Sequence, residues 1–233
     1  MARVRVGTSG WSYPAWVGPF YPAGTSPARM LAAYASVFDT VEAHATYRRL
    51  PSEKALAGWV ATVPAGFRFA PKAHMGITHR RDLDGVEDRV AAFFAALAPL
   101  GDACGPAMFS LPHHQPDLDR LGRILDALPA GAVAAFDLPP AWNRPDVVDR
   151  LDAAGATLVV TDSPERPATA VPAVGPVTYL RLRSGDYGPA DLDAWAERLA
   201  KVAAGGRDAY AFLKHDEGAT GPRLARELVE RLG

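Results

Sequence analysis

Short apolar, often β-branched runs alternate with amphipathic stretches from one end of this chain to the other. Residues 4–7, 40–42, 67–70, 107–111, 132–136, 156–161, 177–182 and 208–213 read as strands. Between them the apolar positions switch to helical spacing. A helix is expected over 27–37, with Ser26 as its N-cap and Pro27 at its first position. Ser52 caps another that runs through Val60, with Leu56, Trp59 and Val60 on one face. Residues 86–97 form an apolar helix ended by Pro99 and Gly101. Asp117 opens a helix carrying Leu118, Leu121, Ile124, Leu125 and Leu128 in period. Pro145 and Pro189 open two more, the second closed by Gly205-Gly206, and 221–232 is the last. The proline-rich stretch 163–176 reads as a loop holding at most a short helix.

Strands that alternate with helices imply a parallel sheet with helical crossovers. About eight such units point to one α/β domain over residues 1–233, a (β/α)8 TIM-type barrel with an irregular sixth or seventh unit. The alternative, an open doubly wound sheet, predicts a glycine-rich phosphate turn after the first strand. Gly7-Thr8-Ser9-Gly10 lacks the further glycine of G-x-G-x-x-G.

Composition alters little. The 233 residues are 48% hydrophobic and 22% charged, with a net charge of −1, so bulk charge argues for neither nucleic acid nor an anionic membrane. The single cysteine, Cys104, rules out an internal disulfide and fits a reducing compartment; with no activating base beside it in sequence, it reads as a structural thiol. The start runs directly into a strand with no apolar leader, and no apolar run is long enough to span a bilayer, so the expectation is a cytoplasmic protein with no membrane partner.

In a barrel, chemistry belongs at the C-terminal ends of the strands. Polar residues gather just there. They are Thr8, Ser9 and Trp11 after the first strand, then Glu42, His44, Thr46, Tyr47, Arg48 and Arg49 after the second. Lys72, His74, Thr78 and His79 follow the third strand, and Ser110, His113 and His114 the fourth. Asp137 and Trp142 follow the fifth, and Asp162 and Ser163 the sixth. Arg181, Arg183 and Tyr187 come with the seventh, and Lys214, His215 and Asp216 with the eighth. The opposite strand ends show no such enrichment beyond Arg5 and Arg207-Asp208.

Glu42, flanked by Val41 and Ala43, is a carboxylate inside a strand, where it is costly unless paired. It is a candidate general acid or base; the alternative is a structural pair with Lys72 or Arg181. Lys72 suits anion binding, or an imine if its pKa is depressed; otherwise it is a partner for Glu42. Alternation puts Tyr179, Arg181 and Arg183 on the lumen face, where the arginines can clamp a carboxylate or phosphate, or else pair with Asp162 or Asp216. No cofactor motif is present. A divalent metal has weak candidates in His44, His113, His114 and His215 with Glu42, Asp162 and Asp216, without H-E-x-x-H or C-x-x-C spacing. Trp11, Trp16, Tyr13, Tyr47 and Trp142 either stack on a sugar or base ring or cap the core.

One combination of motifs carries a resemblance. Gly7-Thr-Ser-Gly-Trp-Ser-Tyr13, Phe20-Tyr-Pro22, Phe38-Asp-Thr-Val-Glu42, Pro64-Ala-Gly-Phe-Arg-Phe69, Lys72-Ala73, Ile77-Thr-His79, Asp162-Ser-Pro164 and Tyr179-Leu-Arg-Leu182 run almost end to end. The chain resembles the DUF72 or YecE-like family, whose members are TIM-type barrels. The resemblance implies a fold and a pocket, and no reaction. Thr8, Trp11, Glu42, Thr46, Lys72, His79, Asp162, Arg181 and Asp216 match the family pattern. Elsewhere the chain departs from it. His44 and Ala45 stand for Asn and Ser, Arg48 for Tyr, Ser110 for Gln, and Arg183 for His, while Lys214 and His215 replace paired asparagines. The family's Glu, Arg and His after the fifth strand are absent from Phe136-Asp-Leu-Pro-Pro-Ala-Trp142.

The first functional reading is an enzyme holding a small anionic or sugar-like ligand at the barrel mouth. Lys72, Arg181, Arg183 and the rim residues Thr8, Trp11, His44, Thr46, His79, Asp162, Lys214 and Asp216 bind it, and Glu42 and Lys72 do the chemistry. Glu42→Gln is then expected to abolish turnover and leave the fold intact. The alternative is a catalytically degenerate binding or regulatory barrel. A third reading, nucleic-acid processing, requires a basic face around Arg48, Arg49, His79, Arg80, Arg81, Arg183 and Lys214.

Overall fold

The computed structural model describes residues 2–80, 82–112, 115–168, 170–214, 216 and 218–233. Eight strands appear among them. They are β1 (Val4–Thr8), β2 (Thr40–Ala43), β3 (Arg68–Pro71), β4 (Ala107–Ser110), β5 (Ala134–Asp137), β6 (Thr157–Asp162), β7 (Thr178–Leu182) and β8 (Ala209–Leu213). All paired strands are parallel, in the orders β1-β8-β7-β6-β5-β4 and β2-β3. Single bridges close the ring: Ser9 with Glu42 joins β1 to β2, and Lys72 with Met108 joins β3 to β4. The architecture is a (β/α)8 barrel.

The crossovers carry α1 (Pro27–Ala35), α2 (Ala45–Arg48), α3 (Glu53–Thr62), α4 (Met75–Thr78), α5 (Val86–Leu97), α6 (Leu118–Asp126), α7 (Pro145–Ala153), α8 (Pro189–Ala204) and α9 (Thr220–Leu232). The side chains of Ser52 and Asp117 accept from the backbone N–H groups of Ala55 and Arg120, capping α3 and α6 as their spacing predicts. The sixth unit is the irregular one: no described residue between β6 and β7 is helical. The one-turn helices α2 and α4 and the 3-10 turns Pro14–Trp16, Ala98–Ala103 and Pro140–Trp142 escape a reading by period because each spans too few residues to show one. Pro71 is itself the last residue of β3, paired with Ala43, one place beyond the expected end at Ala70, since its missing N–H removes only one rung of the ladder. No helix among the described residues is long and apolar enough to cross a membrane.

Strand alternation divides the interior in two. Ala70, Met108, Ala135, Val159, Tyr179, Tyr210 and Phe212 form one buried cluster that fills the lumen. A larger cluster, including Leu180, Leu182, Leu121, Leu151, Leu199 and Leu228, packs the barrel against its helices. The residues two positions beyond the lumen plug are Lys72, Ser110, Asp137, Thr161, Arg181 and Lys214. A period of two therefore sets a polar layer directly above an apolar floor. Gly7 brings β1 close to β2: a Cβ there would lie 2.2 Å from the Thr40 carbonyl oxygen. Gly10, at φ +86°, turns the chain over the mouth in a conformation that favours glycine.

Candidate active site

Glu42 stands at the centre of the polar layer, fully buried. Its Oε1 accepts from Ser9 Oγ at 3.1 Å, His44 Nε2 at 2.5 Å, Arg181 Nη2 at 3.1 Å and Arg183 Nη2 at 3.1 Å. Its Oε2 accepts from Tyr179 Oη at 2.9 Å and Arg181 Nε at 3.1 Å. A carboxylate offers about four lone-pair sites, so this one is saturated by the protein itself. Burial alone would raise its pKa, but Arg181, Arg183 and His44 outweigh that and hold Glu42 well below the usual carboxylate range. An ionised carboxylate only accepts, so the hydrogen of the His44 contact sits on Nε2.

Arg181 also donates from Nη1 to Asp137 Oδ2 at 2.5 Å, and Arg183 from Nη1 to Ser9 Oγ at 2.6 Å. Asp137 Oδ1 accepts from Thr161 Oγ1 at 3.0 Å and faces Arg166 Nη1 at 3.5 Å. Among the described residues, three guanidinium groups thus meet two carboxylates, and Lys72 adds a fourth positive charge. Lys72 Nζ lies 4.3 Å from the centre of the Tyr47 ring and, among the described residues, donates no hydrogen bond and has no carboxylate oxygen within 4.0 Å. Burial, then repulsion from Arg181, lowers its pKa from the ordinary lysine value, against the pull of Glu42 and Asp137. The backbone N–H of Lys72 donates to the Ala43 carbonyl at 3.2 Å, which sets this residue beside the end of β2. Tyr47 is anchored from behind: its Oη is 3.2 Å from His79 Nε2, and His79 Nδ1 is 2.7 Å from Thr78 Oγ1.

Several sequence expectations change here. The lone pairs of Glu42 are engaged by the protein and its pKa is held low, so in this structure it stands as the counter-ion of Arg181 and Arg183. Arg181 and Arg183 do clamp a carboxylate bidentately or singly, but it is Glu42's own; their partners are Glu42 and Asp137, not Asp162 or Asp216. Thr8 and Thr46 are buried framework. The Thr8 hydroxyl bonds the Gly10 carbonyl and Tyr34 Oη, while that of Thr46 donates to the Ala43 and Lys72 carbonyls. Trp11 packs edge-on against Trp59 at 4.9 Å and is 8% exposed; Trp16 and Trp142 are more deeply buried. These tryptophans cap the core and offer no open stacking wall.

Asp162 holds its own loop, accepting from Ala168 N at 2.7 Å and Tyr187 Oη at 2.5 Å. Asp216 accepts from Thr220 N at 2.9 Å and Gly221 N at 2.7 Å, so it occupies the N-terminus of α9, where barrels of this kind commonly seat a phosphate. Lys214, Arg48 and Arg49 are exposed at the rim, whereas Arg80 pairs with Asp82 and Arg183 is turned inward. His113, His114, His215 and Arg81 lie outside the described residues. Among those described, no three His, Cys, Asp or Glu side chains converge to hold a metal ion. Ser9, Asp137, Arg166 and Tyr179 join the network without having been singled out as site residues. For Ser9, Asp137 and Tyr179 the available signal was their parity with Arg181 and Glu42; Arg166, in an irregular loop, carried none.

This geometry can be set beside known proteins. Residues 5–233 match the family model described as Protein of unknown function DUF72.

The chain belongs to the DUF72 family.

A UPF0759 protein, YunF, of Bacillus subtilis (strain 168) is 31% identical over 100 residues, a match that spans 41% of this chain and only 34% of that protein. The crystal structure of a DUF72 family protein from Thermotoga maritima MSB8 superposes with a TM-score of 0.82 at 22% identity, covering 98% of each chain. A DUF72 family protein from Enterococcus faecalis V583 gives 0.81 at 18% identity, over 99% of this chain and 95% of that one. A xylose isomerase domain protein from Alicyclobacillus acidocaldarius gives 0.55 at 14% identity, over 99% and 98%. At these identities the solved structures speak for the fold of this DUF72 chain and not for its reaction.

Proposed function

We propose that this DUF72 protein is an enzyme that binds a small anion, a carboxylate or phosphate compound, at the C-terminal mouth of its barrel. Lys72 is the group that meets the ligand, His44 transfers protons, and Glu42 serves as the buried counter-ion that orients His44, Arg181 and Arg183. One observation carries the reading: Lys72 is a half-buried cation with no ion-pair partner among the described residues, beside a network that already holds more guanidinium than carboxylate. An added anion relieves that imbalance, which a neutral sugar does not. The core-capping tryptophans also deprive the sugar-like alternative of its stacking surface. His44 fits proton transfer because an ionised carboxylate fixes its Nε2–H and hence its tautomer.

The experiment is a thermal-shift titration with inorganic phosphate and with small carboxylates, on the wild type and on Lys72→Met. A ligand at about 100 times its Kd stabilises the folded state by about 2.7 kcal/mol. The reading requires a saturable shift in the wild type that Lys72→Met loses. Equal shifts in both proteins, or none in either, overturn it. A stabilising ligand that is never turned over would replace the enzyme with a binding barrel.

A further inference from the structure

We propose that Lys72 is a covalent nucleophile whose Nζ forms an imine with the carbonyl carbon of a small anionic aldehyde or ketone. The proposal rests on the anion-binding reading of the mouth and adds to it the class of substrate and the bond that forms. Three independent features of the site support it.

The first is position. Lys72 follows β3 on the lumen face, two residues beyond Ala70 of the apolar floor, so its amine rises into the mouth. The second is the lack of a counter-ion. A lysine used only to hold the fold together is normally neutralised, yet Lys72 Nζ has no carboxylate oxygen within 4.0 Å among the described residues. The nearby carboxylates are already committed, Glu42 to Arg181 and Arg183, and Asp137 to Arg181 and Arg166. The third is support. The Tyr47 ring holds the ammonium end at 4.3 Å and is itself tied to His79 at 3.2 Å, so the side chain is aimed without being engaged at nitrogen. The face of Tyr47 favours the charged amine, while burial, then Arg181, lower the pKa of Lys72. Arg183 acts with them, and Glu42 and Asp137 oppose.

The chemistry balances with no further reactant. The neutral amine adds its lone pair to the carbonyl carbon, the C–N bond forms, and the C=O π pair passes to oxygen, which takes a proton. The nitrogen gives up one proton, which restores its lone pair; a second proton reaches the oxygen, the lone pair expels it as water, and C=N forms with one hydrogen left on nitrogen, so the two protons the water carries away are the two that the ammonium gave up. Overall, ammonium plus carbonyl gives iminium plus water, so one positive charge replaces another. The anionic group of the substrate lies against the surplus positive charge of Arg166, Arg181 and Arg183.

The chain contains four lysines, and Lys54, Lys201 and Lys214 are exposed, which makes them internal references. The test is incubation of the full chain with glyoxylate and cyanoborohydride at neutral pH, followed by peptide mapping, with phosphate-induced thermal stabilisation measured alongside. Lys72 should be alkylated several-fold faster than the other three, and phosphate should slow that reaction selectively. Lys72→Arg should lose the adduct and keep the stabilisation by phosphate, because it retains the cation without the nucleophile. Labelling of the exposed lysines at an equal or greater rate, with phosphate stabilisation intact, overturns the imine and leaves the anion site standing. Labelling at Lys72 without any phosphate stabilisation overturns the anion-binding reading instead. Neither labelling nor stabilisation overturns both.

Discussion

Glu42→Gln is the sharpest probe of how the site is built, because its contacts predict a loss of stability where the sequence reading expects an intact fold. The substitution keeps the side-chain shape and removes one negative charge. In the wild type that charge sits fully buried under Arg181, Arg183, Tyr179, Ser9 and His44. Glutamine retains one acceptor oxygen and turns an NH2 group toward guanidinium donors. Arg181 would keep only Asp137 as a counter-ion, and Arg183 would keep none among the described residues. Breaking a buried ion pair by removing one partner costs about 3–5 kcal/mol. That is a large share of the roughly 5–15 kcal/mol that holds a domain folded. For a chain of this size it corresponds to a Tm lower by about 6–20 °C.

The same loss should be visible in acid. The folded pKa of Glu42 lies well below its unfolded value, so its contribution is fully present above the unfolded pKa of about 4.3 and is lost as pH falls through the folded value. Urea unfolding of wild type and variant from neutral pH down through this range would measure both effects. The gap between the two proteins should be widest near neutrality and narrow as the wild-type carboxylate is protonated. A variant that melts within about 2 °C of the wild type, a shift worth less than about 1 kcal/mol at this size, would refute the counter-ion role.

Gly7→Ala should fail to reach a native fold or lose several kcal/mol, because its Cβ would meet the Thr40 carbonyl oxygen at 2.2 Å and both strands are locked into the ring; expression yield and a urea midpoint would decide it. Asp216→Ala removes two acceptors at the start of α9 and should cost about 1 kcal/mol, or roughly 2–4 °C in Tm, without altering anion binding at Lys72. Cys104 should resist thiol reagents at neutral pH and react promptly in denaturant, since burial pushes its thiol up to about 11; rapid stoichiometric labelling of the native protein would contradict this.

The barrel was legible in the sequence because its evidence is local and repeated. Each strand announces itself by a short apolar run, each helix by its period and by caps such as Ser52 and Asp117, and eight repetitions leave few architectures open. The lumen face of β7 was legible too, since Tyr179, Arg181 and Arg183 share one parity. The same parity rule, extended to Ala135 and Asp137, puts Asp137, already named among the polar residues after the fifth strand, on the lumen face as well. What stayed out of reach was pairing. Glu42 and Tyr179 are 137 residues apart, and nothing near either one records that their oxygens lie at 2.9 Å.

The sequence by itself therefore determined the fold and the set of polar groups delivered to the C-terminal end of the barrel, because alternation and helical period are properties of consecutive residues. Only the tertiary structure decided which groups neutralise one another. Ring closure brings the ends of β2, β5 and β7 to one centre, where Glu42 and Asp137 are consumed by Arg181, Arg183 and Arg166. Electrostatic satisfaction depends on distances of a few ångströms between strands remote in sequence. It set Glu42, the foremost candidate catalyst, against Arg181 and Arg183 and left Lys72 with no carboxylate partner among the described residues.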